Sequence, residues 1–393
     1  MATKMMPVGT TEDVRRANLA AILGLLYRNG PASRASLGRI TGRNRSTIAR
    51  LVTDLVELRL ADEREPELEE RRVGRPSPVV SLRPEATAIA INPEIDVLTI
   101  GLVGLDGTVR RVVRHEYDRI PTAAEVTSIS AAVIAGMQVE LEGLLVVGIG
   151  VAVPGQVQTA TGVVRNAPHL AWTDEPMAEQ LSKATGYRVS VANDAALGAL
   201  AEHDFGAGRC CEHLIYLNGG ASGIGGGVIS SGRLLGGTSG HAGEFGHIRV
   251  SSSSVEDSAG IVGTLEAEVS RFALQEALGL SRVEPGTFNK LLLANRTKEV
   301  TSVVHRQLEH LGSAVATAIN LFDPQVIALG GFLAALQAYD QQFLAEQVAS
   351  SALAPSLEDV RITATELGED LLMIGAARLA FAPLLADPAS ISR

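Results

Sequence analysis

The thirty residues Asn218–His247, NGGASGIGGGVISSGRLLGGTSGHAGEFGH, hold twelve of the forty glycines in this 393-residue chain. Glycine at that density weakens helices and strands, so the backbone here must turn tightly or approach something closer than a Cβ allows. A flexible linker would lack Ile224, Val228, Ile229, Leu234, Leu235 and Phe245, and would not close on Glu244 and His247 three positions apart. The run therefore belongs to a folded body and lies near a ligand.

A chain of this length accommodates two or three domains, and 46% hydrophobic with 20% charged residues fits a globular protein rather than a disordered one. The longest apolar run, Gly143–Val153, is about half of what a bilayer requires. Leu19–Tyr27 follows Arg15-Arg16 as a signal peptide would, but Glu12-Asp13 precede it and Arg28, Arg34 and Arg39 follow, so it reads as a core helix. Cys210 and Cys211 are adjacent, which geometry disfavours for an ordinary disulfide. The expected compartment is the cytoplasm, with no membrane association.

Charge divides the chain. Residues 1–83 carry fifteen Lys and Arg against ten Asp and Glu, a net of +5, which leaves −15 on the remainder. A basic head on an acidic body points to a polyanion as the partner of the head. Leu19, Ile22, Leu23 and Leu26 recur at helical spacing, predicting a helix over 11–28 with Thr11 as its cap. Asn29-Gly30-Pro31 ends it, Ser33 opens a short helix, Gly42 turns, and Asn44–Leu58 forms a longer helix with Ile48, Leu51, Val52 and Leu55 inward. This is helix-turn-helix spacing. Arg43, Asn44, Arg45, Ser46, Thr47 and Arg50 stand at the start of the second helix, the donors and small polar groups that read base edges and phosphates. Leu60–Arg64 and Val79–Leu82 read as strands flanking a charged stretch, a wing whose tip holds Arg72 and Arg75 for the DNA backbone or minor groove.

From Ala86 onward strands and helices alternate: strands over 87–92, 97–103 and 144–153, helices over 123–141 and 195–203, an apparent hairpin of 213–218 with 225–230, helices over 263–278 and 299–321, and a strand at 326–329. Two α/β lobes follow one another, with polar or glycine-rich groups at strand C-terminal ends.

These residues resemble the ROK family of repressors and sugar kinases, and with its head the chain is similar to ROK transcriptional regulators of the NagC, Mlc and XylR type. The resemblance runs from about Val14 to Phe381. It is carried by GPASRASLGRITGRNRSTIARLV (30–52), VGIGVAVPG (147–155), NAPHLAW (166–172), VANDAALGALAE (191–202), GIGGG (223–227), GHAGEFGH (240–247) and DPQVIALGG (323–331). It implies a winged helix-turn-helix followed by a two-lobed, actin-like sugar-kinase fold of α/β class. The expected division is a DNA-binding head over 1–84, a first lobe from 85–196 with 369–393, and a second lobe over 197–368.

A sugar is a ring of hydroxyls and needs acceptors and amides held on rigid turns. By resemblance Asn193, Asp194, Glu244, His247 and Glu266 contact it. Each has a purely structural alternative: Asp194 as a helix cap, Glu244 balancing a buried donor, Glu266 on an exposed helix face. In ROK kinases the residue matching Asp194 is the catalytic base. The phosphate turn of those kinases, Asp-x-Gly-Gly-Thr, is replaced here by Asn92-Pro93-Glu94-Ile95-Asp96, where Pro93 removes an N–H and Glu94 adds a negative charge. The family's zinc cysteines align with Asp257, Ala259 and Thr264, so His247 is expected to be free of metal and to serve the sugar directly or to orient Glu244. The expectation is a sugar-responsive regulator, a repressor, without catalysis, cofactor or metal. It would bind double-stranded operator DNA as a homodimer or homotetramer, with a sugar or sugar phosphate as effector. A bifunctional kinase with a DNA-binding head, or a regulator controlled by a protein partner, are the alternatives.

Overall fold

The computed structural model describes residues 10–65, 78–220, 223–281, 283 and 285–390. The chain begins with Thr11–Asn29 (α1), Ala32–Ser33 (β1), Arg34–Thr41 (α2), Arg45–Glu57 (α3), Ala61–Arg64 (β2) and Val79–Leu82 (β3). The cap of α1 is Thr10, not Thr11: its hydroxyl accepts from Asp13 N while the Asp13 carboxylate accepts from Thr10 N. Ser33 caps α2, Gly42 closes it at φ +67°, and Asn44 caps α3. Each such cap contributes about 1 kcal/mol. Strands β2 and β3 pair antiparallel and β1 joins β3, which completes a winged helix-turn-helix. Arg72 and Arg75, at the expected wing tip, lie outside the described residues.

Ala86–Pro93 (β4), Val97–Gly104 (β5) and Val109–Glu116 (β6) form an antiparallel meander. After Ala123–Gly136 (α4) and Gln138–Leu141 (α5), Leu145–Val153 (β7) returns parallel to β4. The helix expected over 123–141 is broken at Met137, directly after Gly136. A small sheet of Gln156–Gln158 (β8), Val163–Ala167 (β9) and Trp172–Glu175 (β10) precedes Met177–Thr185 (α6), Val189–Asn193 (β11) and Asp194–Phe205 (α7).

The chain then builds Leu214–Gly220 (β12), Gly223–Ser230 (β13), Arg233–Leu234 (β14), Leu265–Glu268 (α8), Arg271–Ala277 (α9), Pro285–Ala294 (α10) and Lys298–Phe322 (α11). Val326–Gly331 (β15), Phe332–Tyr339 (α12), Gln341–Ser351 (α13), Ala354–Leu357 (α14), Arg361–Ala364 (β16) and Leu371–Ala386 (α15) complete it. The helix expected over 263–278 starts late and splits. Gly263 sits at φ +68° with its N–H on Val255 O, and the buried Val269 is extended, separating α8 from α9.

The two large sheets have orders β11-β7-β4-β5-β6 and β14-β13-β12-β15-β16. Numbered within each lobe, both run 3-2-1-4-5, with the first three strands antiparallel and the last two parallel to the first. One topology thus occurs twice, and the C-terminal ends of its parallel strands are where such sheets bind ligands.

Helices α7 and α15 pack against each other between the sheets. Leu19, Leu23, Ile48, Val52 and Leu55 of the head join Ala88, Ala90, Leu197, Tyr216, Met373 and Phe381 in one continuous apolar core. Separate cores cover the outer faces of the first and second sheets. Among the described residues no helix is long and apolar enough to cross a membrane.

Candidate functional site

The glycines of β13 let α7 lie directly on the second sheet. A Cβ at Gly227 would stand 2.6 Å from Ala199 Cβ and 3.0 Å from Ala195 O, and one at Gly225 would stand 2.8 Å from Ala195 Cβ. Part of the glycine run is therefore packing between backbones, and that packing brings the start of α7 to the Glu244–His247 segment.

At that start Asn193 is the helix cap. Its Oδ1 accepts from Ala196 N at 2.9 Å, and its Nδ2 donates to Gly155 O at 3.0 Å and to Asp194 Oδ1 at 3.1 Å. The cap role considered for Asp194 belongs to Asn193. Asp194 is 8% exposed, and its Oδ1 also accepts from Ala195 N at 2.8 Å. Burial pushes the Asp194 carboxyl up to about 6, the charge of Glu244 adding to the shift while the Ala195 and Asn193 bonds oppose it. Across from it Glu244 is exposed, immediately before the short turn Phe245–His247.

His247 is oriented from behind. Its Nδ1 meets Asp257 Oδ2 at 2.8 Å, and Asp257 also accepts from Thr264 Oγ1 at 2.8 Å and from Ala259 N and Ile261 N at 2.9 Å. Two of the three residues aligned with the family's zinc cysteines thus bind one another, and the third supplies a backbone N–H. A carboxylate already holding four donors, an alanine and a hydroxyl do not fit a tetrahedral zinc site. Among the described residues no group of three or more His, Cys, Asp or Glu is placed to hold a metal ion. Burial works against the charged imidazole, but the Asp257 bond and the charges of Glu266, Asp257 and Glu244 raise His247 above its ordinary value. Burial likewise opposes Asp257 ionisation, yet its bonds to His247, Ile261, Thr264 and Ala259 hold it at about 2.

Glu266 is occupied as well. Oε2 accepts from Ile224 N at 3.0 Å, and Oε1 accepts from Ser258 N at 3.3 Å and from the Ser258 hydroxyl. It fastens the glycine strand to the loop 251–264 and is not the exposed helix residue weighed as an alternative. The structure therefore gathers all five sequence candidates, but divides them: among the described residues none hydrogen-bonds to Asp194 Oδ2, the Glu244 carboxylate or His247 Nε2, whereas Asn193 and Glu266 hold backbone.

The Asn92–Asp96 stretch closes as a tight hairpin. Strand β4 runs through Pro93, paired with Leu98, and Glu94 N donates to Val97 O at 2.8 Å. Asn92 Nδ2 donates to Ala152 O at 3.0 Å. Burial pushes Glu94 up to about 8, with the charges of Asp194 and Asp96 adding to the shift and an Asn92 bond opposing it. Burial first, and the neighbouring Asp194 and Asp96 carboxylates second, thus oppose the standing negative charge expected at Glu94. Sequence reasoning missed Asp257 as the partner of His247 and Ser258 as that of Glu266; neither pairing follows a spacing rule. A cavity of about 230 Å³ lined by Leu145, Arg188, Ala380 and Leu384 holds none of these groups, so chemistry and not volume marks the cleft.

On the head, Arg43, Asn44, Arg45, Ser46 and Arg50 are exposed and Thr47 is half-buried. Asn44 Oδ1 accepts from Thr47 N and Ser46 Oγ, both at 2.9 Å, so its amide NH₂ remains for other partners.

A winged helical head on a duplicated two-lobed body with an acidic, polar cleft defines a DNA-binding head joined to a sugar-kinase-type fold. Residues 89–382 match the model of the ROK family, and the chain belongs to that family. It is 28% identical over 344 residues to the DNA-binding transcriptional dual regulator NagC of Escherichia coli K12, covering 82% of each chain. It is 29% identical over 248 residues to a glucokinase of Thermotoga maritima, covering 59% of this chain and 78% of the glucokinase. A crystal structure of a ROK family transcriptional regulator, described as a homologue of the E. coli Mlc protein, shares its fold with a TM-score of 0.79 and 23% identity over 95% of this chain and 97% of that one. The similarity to the Mlc homologue covers 95% of this chain and so extends into the head, whereas that to the glucokinase covers 59%.

Proposed function

We propose that the protein is a sugar-responsive transcription regulator, a repressor, whose head binds operator DNA and whose cleft binds a sugar or sugar phosphate. The observation that carries this reading is the coexistence of two built surfaces: an exposed Arg43–Arg50 face on a capped α3, and a cleft in which Asp194, Glu244 and His247 keep polar atoms that no described residue hydrogen-bonds. The extent of similarity to NagC supports it. We assign operator contact to Arg43, Asn44, Arg45, Ser46, Thr47 and Arg50, assisted by Arg72 and Arg75. Sugar hydroxyls meet Asp194, Glu244 and His247, with Asn193 and Glu266 holding the turns that position them. The protein works in the cytoplasm as a homodimer or homotetramer on a palindromic site.

Kinase activity is disfavoured by the β4–β5 hairpin: Pro93 has no N–H, and that of Glu94 is already used. Asp194 retains the position and a raised pKa of about 6 suited to a base, so the nucleotide side is what decides. Two measurements test the proposal. In a thermal-shift screen of sugars, amino sugars and their phosphates, a ligand at about 100 times its Kd adds about 2.7 kcal/mol of stability. Glu244→Ala is expected to abolish that shift and leave operator binding near normal, while Arg50→Ala does the reverse. Sugar-dependent ATP turnover that vanishes in Asp194→Asn would overturn the non-catalytic reading.

A further inference from the structure

Between β14 and Glu244 the chain leaves the second sheet, touches the first lobe and returns. At Gly240 it lies against the small sheet, where a Cβ would stand 3.1 Å from Val157 O of β8 and 3.0 Å from Thr159 Oγ1. Strand β8 opens directly after Gly155, whose carbonyl is held by Asn193, so this contact borders the cleft. At Gly243 the chain is back on β13, where a Cβ would stand 2.8 Å from Gly226 O. Both glycines have positive φ, +89° and +100°, and Ala242 N donates to Gly236 O at 3.4 Å, so backbone contacts fix the path. His241 sits between these two anchor points, three residues before Glu244.

His241 Nε2 is shielded from solvent and, among the described residues, has no hydrogen-bond partner. A buried nitrogen in that state has given up water without a return, which native structures tolerate rarely and chiefly where function requires it. The groups already placed in the cleft leave such a requirement. The carboxylates of Asp194 and Glu244, when ionised, only accept, whereas every sugar hydroxyl both donates and accepts. A hydroxyl that donates to one of them keeps lone pairs, and a ring N–H is the matching donor. With the ring proton on Nδ1 instead, the hydroxyl donates to Nε2, so it answers either tautomer.

We propose that His241 is a further sugar-contacting residue that sets specificity, its Nε2 exchanging a hydrogen bond with one hydroxyl of the effector; this rests on the reading of the cleft as a sugar site. The free protein then carries an unpaired nitrogen that the sugar pairs on arrival. Opposite effects on stability and affinity follow. An apolar side chain at 241 relieves the free protein of the unpaired group and weakens the complex. A histidine that merely props the loop behaves in the contrary way, its replacement lowering the stability of the free protein.

The test compares the full chain as wild type, His241→Leu, His241→Phe and His241→Gln, by thermal melting without sugar and by calorimetric titration. The probes are glucose, xylose and N-acetylglucosamine, each with its monodeoxy forms. Without sugar, the better tolerated of the Leu and Phe variants is expected to melt at or above the wild-type Tm. Its Kd for the sugar that wild type binds should rise about tenfold, the size of one hydrogen bond, with part of the loss regained in His241→Gln. One monodeoxy form should cost wild type about tenfold and cost the apolar variant nothing further, which a general disturbance of the loop would not produce. A sugar-free Tm lowered in both apolar variants overturns the proposal, as does unchanged affinity, or equal weakening of every monodeoxy form in variant and wild type. A wild type that binds sugar while these variants bind it as tightly removes the His241 contact alone. If wild type binds none of the probes, the sugar reading is what fails, and the sugar-free melting still judges His241, a lowered Tm making it structural.

Discussion

Asp257 shows how one side chain can close a loop and orient a histidine by hydrogen bonds alone. It holds His247 on one oxygen and the loop amides of Ala259 and Ile261 on the other, so the loop is closed by hydrogen bonds. The pair has a defined pH window. Asp257 ionises at about 2 in the folded chain, below its unfolded value, so its contribution is present above about 4 and is lost as pH falls through about 2. His247 is raised, so its contribution is present below about 6.5 and is lost as pH rises through the folded value. The difference in urea midpoint between wild type and Asp257→Asn should therefore be largest between about pH 4 and 6.5 and should shrink on both sides. Glu94 has the opposite sign. Raised to about 8, it opposes folding as pH climbs from its ordinary range to 8. Glu94→Gln is expected to raise Tm by about 2 °C or more at pH 8, with the gain disappearing near pH 4. The glycine run, Asp194 and Glu244 were legible in the sequence because motif and residue type coincide. The state of Glu94 was not, because it depends on Asp194 and Asp96, which reach it through folding.

Among the elements, α3 was the most readable and the region around α8 the least. The cap Asn44, the inward Ile48, Leu51, Val52 and Leu55, and the turn at Gly42 all follow local rules, and the structure places them accordingly. The break between α8 and α9 is set by loop 251–264, whose hydrogen bonds carry no periodic signal. Asn44 also separates two roles that alanine would confuse. Asn44→Asp keeps a capping oxygen for Thr47 N but sets a negative charge against DNA phosphates, whereas Asn44→Ala removes the cap. Stability should fall by about 1 kcal/mol in Asn44→Ala and hold in Asn44→Asp. Operator binding measured by anisotropy should fall about tenfold or more in Asn44→Asp, an effect of the size of one specific contact. Unchanged binding in the aspartate variant would remove Asn44 from the interface.

At the level of the whole molecule, alternating elements and the position of the basic head revealed two lobes and a DNA-binding domain, while their attachment to one another was invisible. Helical spacing shows that Leu19 and Leu23 are buried but not that they share a core with Phe381. Cooperative unfolding of head and first lobe follows from that sharing. Trp172, 3% exposed in the first lobe, is the only tryptophan and reports that lobe by fluorescence. Tyr27→Ala, a truncation in the head, should lower the stability seen at Trp172 by about 3–5 kcal/mol, as large core truncations do; an unmoved Trp172 transition would separate the two bodies. The same seam governs how such a regulator can acquire a new target. Exchanging exposed side chains on α3 leaves the seam intact and costs the scaffold little. Grafting a whole foreign head as a cassette does not, since the newcomer must match Phe205 and Arg378 at the place of Tyr27, Gly143 O at the place of Arg59, and Asp387 at the place of Arg16. New operator specificity is therefore expected to arise by point changes along one helix face, and successful chimeras to carry their junction partners with them.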